Sequence, residues 1–204
     1  SWRTIIAACQ NKQVPDTWNV GDSCMMAFGE KNYQIDIIGK NHDDYADGSG
    51  KAPLTFQMHT TYATKYKMNG GEYNNCGWVN CLVRKYNAFP ALKKVMPAEV
   101  VAALKAVTKK TTAGGASSAI DTTEDTLFLL SEIEIQGTRT FSYAGEGTQY
   151  AYYQTEANRK KNRAWYLRSP RISETSCFCR TGWSGEADWS VASNTDGIAA
   201  AWCF

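Results

Sequence analysis

The sequence predicts a mixed α+β domain, on three observations. Its first third carries β-branched and aromatic apolar runs, and its middle carries an apolar set at helical spacing. Nowhere does it show the regular strand–helix–strand alternation that a parallel sheet requires. A chain of 204 residues, 43% hydrophobic, can bury a substantial core as one unit, so residues 1–204 are read as a single domain.

Taken in order, WRTIIAAC (2–9) reads as a strand from its β-branched run. DSCMMAFGEKNYQIDIIG holds two apolar runs separated by GEKN, which predicts a hairpin, and NHDDYADGSG after it is loop. Asn80 is placed to cap a short helix through LVRKY. Pro97 suits a first helical position for AEVVAALKAVTKK, where Val100, Val101, Leu104 and Val107 recur at helical spacing and the lysines fall in the last turn. TTAGGASSAI breaks that pattern, and TLFLLSEIEI, an apolar run passing into alternation, reads as a buried strand. Beyond residue 136 aromatics and glycines multiply. This predicts an irregular, loop-rich half closed by a short strand at GIAAAWCF. Within it CRTGWSGEADWSVASNTDG (179–197) has neither helical nor strand periodicity and reads as loop.

Composition narrows the function. A net charge of +2 with scattered lysines and arginines gives no electrostatic footprint for nucleic acid. No apolar run approaches the ~18 residues of a spanning helix, so no membrane insertion is expected. The chain opens Ser1-Trp2-Arg3 without a methionine, which reads as a fragment or processed form and leaves localisation open.

Catalytic templates for phosphate cradling, dinucleotide binding, zinc proteolysis and serine hydrolysis are missing, so no catalytic residue and no cofactor are assigned. Seven cysteines, at 9, 24, 76, 81, 177, 179 and 203, are odd in number and irregular in spacing, and are read as reduced, mostly buried side chains. Asp43, Asp44 and Asp47 in HDDYADG would offer oxygens to calcium, yet aspartates equally populate plain turns, so no metal is assigned. Arg168, in WYLRSP, is either a ligand-holding cation or, by preference, an internal fork satisfying loop carbonyls.

The stretch after residue 171 has its own chemistry. Trp183 and Trp189 are rigid amphipathic anchors, while Ser173, Ser176, Ser184, Ser190 and Asn194 supply adaptable hydrogen bonds, a mixture typical of paratopes. The competing reading has both tryptophans fold back over a core. Glu174, Arg180, Glu186, Asp188 and Asp196 make one positive and four negative charges, a net of −3, which suggests an acidic patch.

Six segments together carry a resemblance: NNCGWVNCLVR, VMPAEV, TTEDTLFLLSEIEIQG, GEGTQYAYY, WYLRSP and GIAAAWCF. They are similar to the asparagine- and glycine-rich GGW segment, the LP- or MP-containing helix, the T-x-D-x-L-F-L-L-S-E, EGxQY and W-W-L-R-S-P motifs, and the G-V-A-P-A-F-C-I ending of an uncharacterised domain family of gut bacteria and their phages. The match runs from about Trp2 to the terminus. Such domains look like C-type-lectin folds related to the variable proteins of diversity-generating retroelements, in which adenine-derived codons of a C-terminal segment are rewritten on a constant scaffold. The resemblance implies a ligand-binding display protein, an adhesin or phage receptor-binding component on a cell surface or virion. Its partner would be a protein or glycan on a cell surface; its oligomeric state is open.

Against the family pattern Phe178, Cys179, Gly185, Ala192, Ser193, Gly197, Ala199 and Cys203 fall at scaffold positions. Ile172, Glu174, Ser176, Arg180, Trp183, Ser184, Glu186, Asp188, Trp189, Asn194 and Thr195 fall between them and are the candidate ligand contacts, within a variable-type region of about 172–196. Ala200, Trp202 and Cys76 depart from the usual proline, phenylalanine and glycine. Related folds include formylglycine-generating copper oxidases, whose cysteine pair Cys76 and Cys81 match in spacing but not in place. A structural virion or pilus module is the third reading.

Overall fold

The computed structural model describes residues 1–204. It is a mixed α+β fold in which sheets dominate. Helix α1 (Trp2–Gln10) leads into β1 (Ser23–Phe28), β2 (Lys31–Lys40) and β3 (Leu54–Met58). Helices α2 (Leu82–Lys85), α3 (Ala88–Val95) and α4 (Ala98–Ala103) follow, then β4 (Val107–Thr112), β5 (Ile120–Asp125) and helix α5 (Glu132–Gln136). Two 3-10 turns, Ala151–Gln154 and Glu156–Arg159, precede β6 (Trp165–Pro170), β7 (Cys177–Thr181), β8 (Ala187–Val191) and β9 (Ala201–Cys203).

Three antiparallel sheets result, ordered β1-β2-β3-β9, β4-β5 and β6-β7-β8. The closing strand thus pairs with β3, Thr55 against Cys203, and ties the C-terminus to the first third of the chain. One cluster of 42 buried hydrophobic residues, from Cys9 to Phe204, joins all three sheets. No helix is long and apolar enough to cross a membrane.

Several local expectations change. WRTIIAAC is helical, not extended: Ser1 caps it by accepting from the Thr4 amide. Trp2, Ile5, Ile6 and Cys9 recur at i, i+3, i+4 and i+7, a helical stripe that outweighs the β-branched run. Trp2 sets its ring edge-on to Phe56 and Phe204, at 5.6 and 6.1 Å between centroids. Asn80 does not cap α2; Cys81 holds that position, and the Asn80 carbonyl accepts from Lys85 instead. The helix after Pro97 ends at Ala103. Val107, Lys109 and Thr111 then alternate inward in β4, so the lysines sit in a strand and not at a helix end. In TLFLLSEIEI only Phe128 bridges to Ala201, and SEIEI winds into α5. There Ser131 and Glu134 form a capping box, and Gly137 closes the helix at φ 78°, signals that override the alternation. The hairpin at Gly29-Glu30 forms as expected. Residues 137–164 are indeed irregular apart from the 3-10 turns, but the last forty residues carry a regular three-stranded sheet.

Arg168 is the internal fork. It is fully buried and donates from Nε to the Thr111 hydroxyl (2.8 Å), from its terminal nitrogens to the carbonyls of Leu129 (2.9 Å), Lys110 (3.0 Å) and Glu146 (3.2 Å), and to both Glu134 oxygens (2.5 and 3.0 Å). Glu134 also takes the Lys109 ammonium at 2.7 Å, and Lys109 reaches Asp43 at 2.7 Å. Burial alone would raise the Asp43 carboxyl, but Lys109 and the Thr55 hydroxyl outweigh it and bring its pKa to about 2. The same contest, won by Arg168 and Lys109, lowers Glu134. Glu146 is different: burial pushes its pKa up, and it bonds to Ser169 and the Thr112 amide. Breaking such a buried pair leaves an uncompensated charge. Glu134→Gln is therefore expected to lower the unfolding free energy by about 3 kcal/mol or more, measured by urea denaturation; a loss below about 1 kcal/mol contradicts this account.

Lys161 is buried without a carboxylate in contact, its Nζ donating to the carbonyls of Met58 (2.8 Å) and His59 (2.9 Å) and lying 5.0 Å from the Trp165 ring centroid. Burial pulls its pKa down to about 7, against the pull of Asp36. A neutral amine still has two N–H groups for those two carbonyls. Between pH 7 and its ordinary 10.5 the unfolded chain binds a proton that the folded chain does not. Its contribution to stability therefore rises with pH across that window, by at most about 1.4 kcal/mol per unit, and is lost as pH falls through 7. From pH 7 to pH 9 the stability of the wild type relative to Lys161→Met should shift in the wild type's favour, read from denaturation curves at each pH.

Candidate functional site

The stretch expected to be loop is a β-hairpin. Strands β7 and β8 pair from Cys177 opposite Val191 to Thr181 opposite Ala187. The alternation is hidden because Cys177, Phe178, Cys179 and Thr181 are all buried, leaving Arg180 as the outward residue of β7. The connecting turn is held by the Gly182 amide donating to the Glu186 carbonyl (2.9 Å) and by Gly185 at φ +97°. Ser184 donates from its amide (2.9 Å) and hydroxyl (2.6 Å) to the Glu186 carboxylate.

Trp183 stands on this turn at 67% exposure and Trp189 on β8 at 39%, and neither joins the core cluster. They do not fold back. None of the candidate contacts Ile172, Glu174, Ser176, Arg180, Trp183, Ser184, Glu186, Asp188, Trp189, Asn194 and Thr195 is buried. Of the scaffold positions, Phe178, Cys179, Gly185, Ala192, Gly197, Ala199 and Cys203 are buried, and Ser193 is half-buried. A Cβ on Gly197 would lie 2.6 Å from the Thr61 methyl and 2.8 Å from the Ala164 carbonyl, so that position admits no side chain.

Fixed groups hold this face from behind. Asn74, fully buried, offers its side-chain amide to the carbonyls of Arg171 (2.9 Å), Glu174 (3.0 Å) and Cys177 (2.7 Å), while its own side-chain carbonyl accepts from the Gly115 amide (2.9 Å). Gly114 lies so close that a Cβ there would fall 1.8 Å from the Asn74 carbonyl. The Tyr166 hydroxyl donates to the Val191 carbonyl (2.6 Å) and lies 3.2 Å from that of Asn194. Sequence reasoning missed Asn74 as a clamp; the asparagine pair before GW, set against the later GG, was its only signal.

The acidic patch is internally bonded but keeps its net charge of −3. Arg180 pairs with Asp188 (2.7 Å) and Asp196 (2.9 Å), and Glu186 is engaged by Ser184. Just outside the predicted segment, Arg171 stacks against Trp189 and Phe141, with its guanidinium carbon 4.4 and 5.3 Å from their ring centroids.

The other candidates do not assemble into a metal centre. Asp43 pairs with Lys109, Asp44 with Lys51 (3.0 Å) and Asp47 with Lys105 (3.1 Å), so the three aspartates answer three separate lysines and converge on no common point. His42, stacked on Tyr150 at 3.8 Å, brings a ring nitrogen within 4.8 Å of Asp43 and Glu134 oxygens, beside a polar cleft of about 410 Å³. The Lys109 ammonium already stands 2.7 Å from both carboxylates, and with Arg168 it balances their charge. A divalent cation would have to expel it. All seven cysteines are free, and burial raises the Cys76 and Cys81 thiols above their ordinary range. Burial likewise pushes Cys9 up to about 12 and Cys179 and Cys203 well above the ordinary range. A thiol reagent at pH 7.5 should label Cys24 and Cys76, which are half-buried, and reach the remaining cysteines only in denaturant, as counted by mass spectrometry.

A family model described as Domain of unknown function (DUF6273) matches residues 54–203, from the first residue of β3 to the last of β9. No curated protein and no solved structure matches the chain.

Proposed function

We propose that this chain, which belongs to the DUF6273 family, is a ligand-binding display protein of C-type-lectin type and the target protein of a diversity-generating retroelement. Its C-terminal hairpin and flanking loops bind a protein or glycan on a cell surface, and it works as an adhesin or receptor-binding component on a cell or virion. No chemistry is performed at this face. The observation that carries the reading is the residue-by-residue division of the segment from 172 to 197. All eleven candidate contacts keep some exposure and every scaffold residue but Ser193 is buried, while Cys177, Thr181, Gly182 and Ser190, which belong to neither set, are buried with the frame. A protein whose contact residues are rewritten needs that division, because an outward side chain can change without disturbing the frame.

Deep sequencing of the gene and its flanking DNA from a growing population tests the proposal. Substitutions should concentrate in codons 172–196 and trace to adenines of a nearby near-copy; a segment as invariant as the rest, with no copy, sinks it and favours a fixed binder or a structural module. Independently, replacing Trp183 and Trp189 together by alanine should abolish ligand binding while costing no more than about 1 kcal/mol of stability, since both side chains are exposed. A loss of several kcal/mol in thermal or urea unfolding would return them to a structural role.

A further inference from the structure

Arg171 follows β6 directly and lies outside the segment whose side chains are proposed to vary. Its backbone is fixed on both sides: the amide donates to the Cys177 carbonyl (3.0 Å), and the carbonyl accepts from the buried Asn74 side chain (2.9 Å). Its guanidinium packs against the Trp189 and Phe141 rings, at 4.4 and 5.3 Å. Of its donors only Nε is engaged, by the Ser173 hydroxyl at 3.2 Å, and it has no carboxylate partner. The contrast with Arg180, neutralised by both Asp188 and Asp196, is direct. Arg139 repeats the arrangement nearby, 5.5 Å from the ring of the exposed Tyr143 and again without a carboxylate.

An arginine held against aromatic rings has already lost much of its side-chain freedom, and its planar fork matches a carboxylate through two parallel hydrogen bonds. The free ends of Arg171 are therefore pre-organised for an anion arriving from solvent. The surrounding chemistry favours a sugar over a protein anchor. Trp189, 39% exposed beside Arg171, offers part of its indole to a sugar ring, and the Ser173 hydroxyl, which already meets Arg171, and the Ser176 hydroxyl on the same loop suit ring hydroxyls. The clefts of about 410 and 390 Å³, where a protein's anchor residue would insert, are lined by residues 1–148 and lie elsewhere.

We propose that Arg171 is a constant anchor of the display face and that the ligand class is an acidic saccharide, whose carboxylate Arg171 binds. This deepens the display reading and rests on it. Varied neighbours would then select among sugars, while the charged contact stays the same in every variant.

The test titrates the whole chain by calorimetry with trigalacturonic acid and with sialyllactose, each beside its carboxyl methyl ester, which keeps the shape and removes the charge. At least one acid should bind, its ester at least about tenfold more weakly, with affinity falling as salt is raised. Arg171→Gln and Arg171→Lys should each lose about tenfold for the acid and change the ester little, because lysine cannot reproduce the stacked fork. Equal binding of acid and ester by the wild type, unaltered acid binding by folded Arg171→Gln, or no binding of either acid overturns the proposal. The ester comparison needs no variant and so is independent of folding. Failure here with codon variation intact removes only the saccharide anchor, whereas invariant codons with acid binding intact remove diversification and leave a fixed lectin.

Discussion

The fold depends on one buried ionic arrangement, the fork of Arg168 on the two oxygens of Glu134. Arg168 lies in β6, and its donors reach β4 through Thr111 and Lys110, the extended segment before α5 through Leu129, and the 146 loop through Glu146. Every N–H of the guanidinium is used, as a fully buried cation requires. A neighbouring pair extends the network. Lys109 bridges Glu134 to Asp43, and Asp43 accepts from Thr55 of β3 at 2.5 Å and from Tyr150. Two carboxylates and two cations thus lock together segments far apart in the chain. Burying them gains little over well-packed apolar side chains, but any other arrangement of the sheets strands a charge at low dielectric. The network therefore selects this arrangement against its competitors.

That rigid interior matters for the C-terminal face. Strand β6 carries Arg168 on the inside and β7 pairs with β6, so the hairpin bearing Trp183 and Trp189 is registered directly against the locked core. The segment between β6 and β7 lacks regular structure of its own and is fixed by Asn74, which takes its carbonyls at Arg171 and Glu174 and that of Cys177 at the start of β7. Frame and face are built from different atoms. Backbone groups and buried side chains fix the frame, while side chains on the other side of the same backbone reach solvent with few obligations. The exceptions are informative: Arg180, Asp188 and Asp196 form a local network, so a change at one alters the others.

The lysines and aspartates of the middle illustrate how tertiary context reassigns residues. Lys109 and Lys110 complete an apparently helical run, and Asp43, Asp44 and Asp47 crowd a turn. The fold places Lys109 in a strand opposite Asp43, and the cation that the acidic turn seemed to want is supplied by the protein itself. Exchange of a metal for a tethered ammonium is invisible in one dimension, because the partners stand 66 residues apart.

Much was determined by the sequence itself. Mixed α+β class, the β1–β2 hairpin, the closing strand at GIAAAWCF, reduced cysteines, Arg168 as an internal fork, and outward tryptophans all follow from residue types and short-range spacing. These are local properties: turn chemistry, periodicity, and the donor count of a guanidinium. Tertiary structure decided the rest. It made Trp2–Gln10 a helix by giving its apolar stripe Phe56 and Phe204 to pack on, and turned the CRTGWSG stretch into paired strands by covering both faces of β7. It recruited Asn74 as the clamp of a loop about a hundred residues away. In each case the deciding partner is distant in sequence, and burial against it outweighs the fraction of a kcal/mol per residue that local propensity contributes.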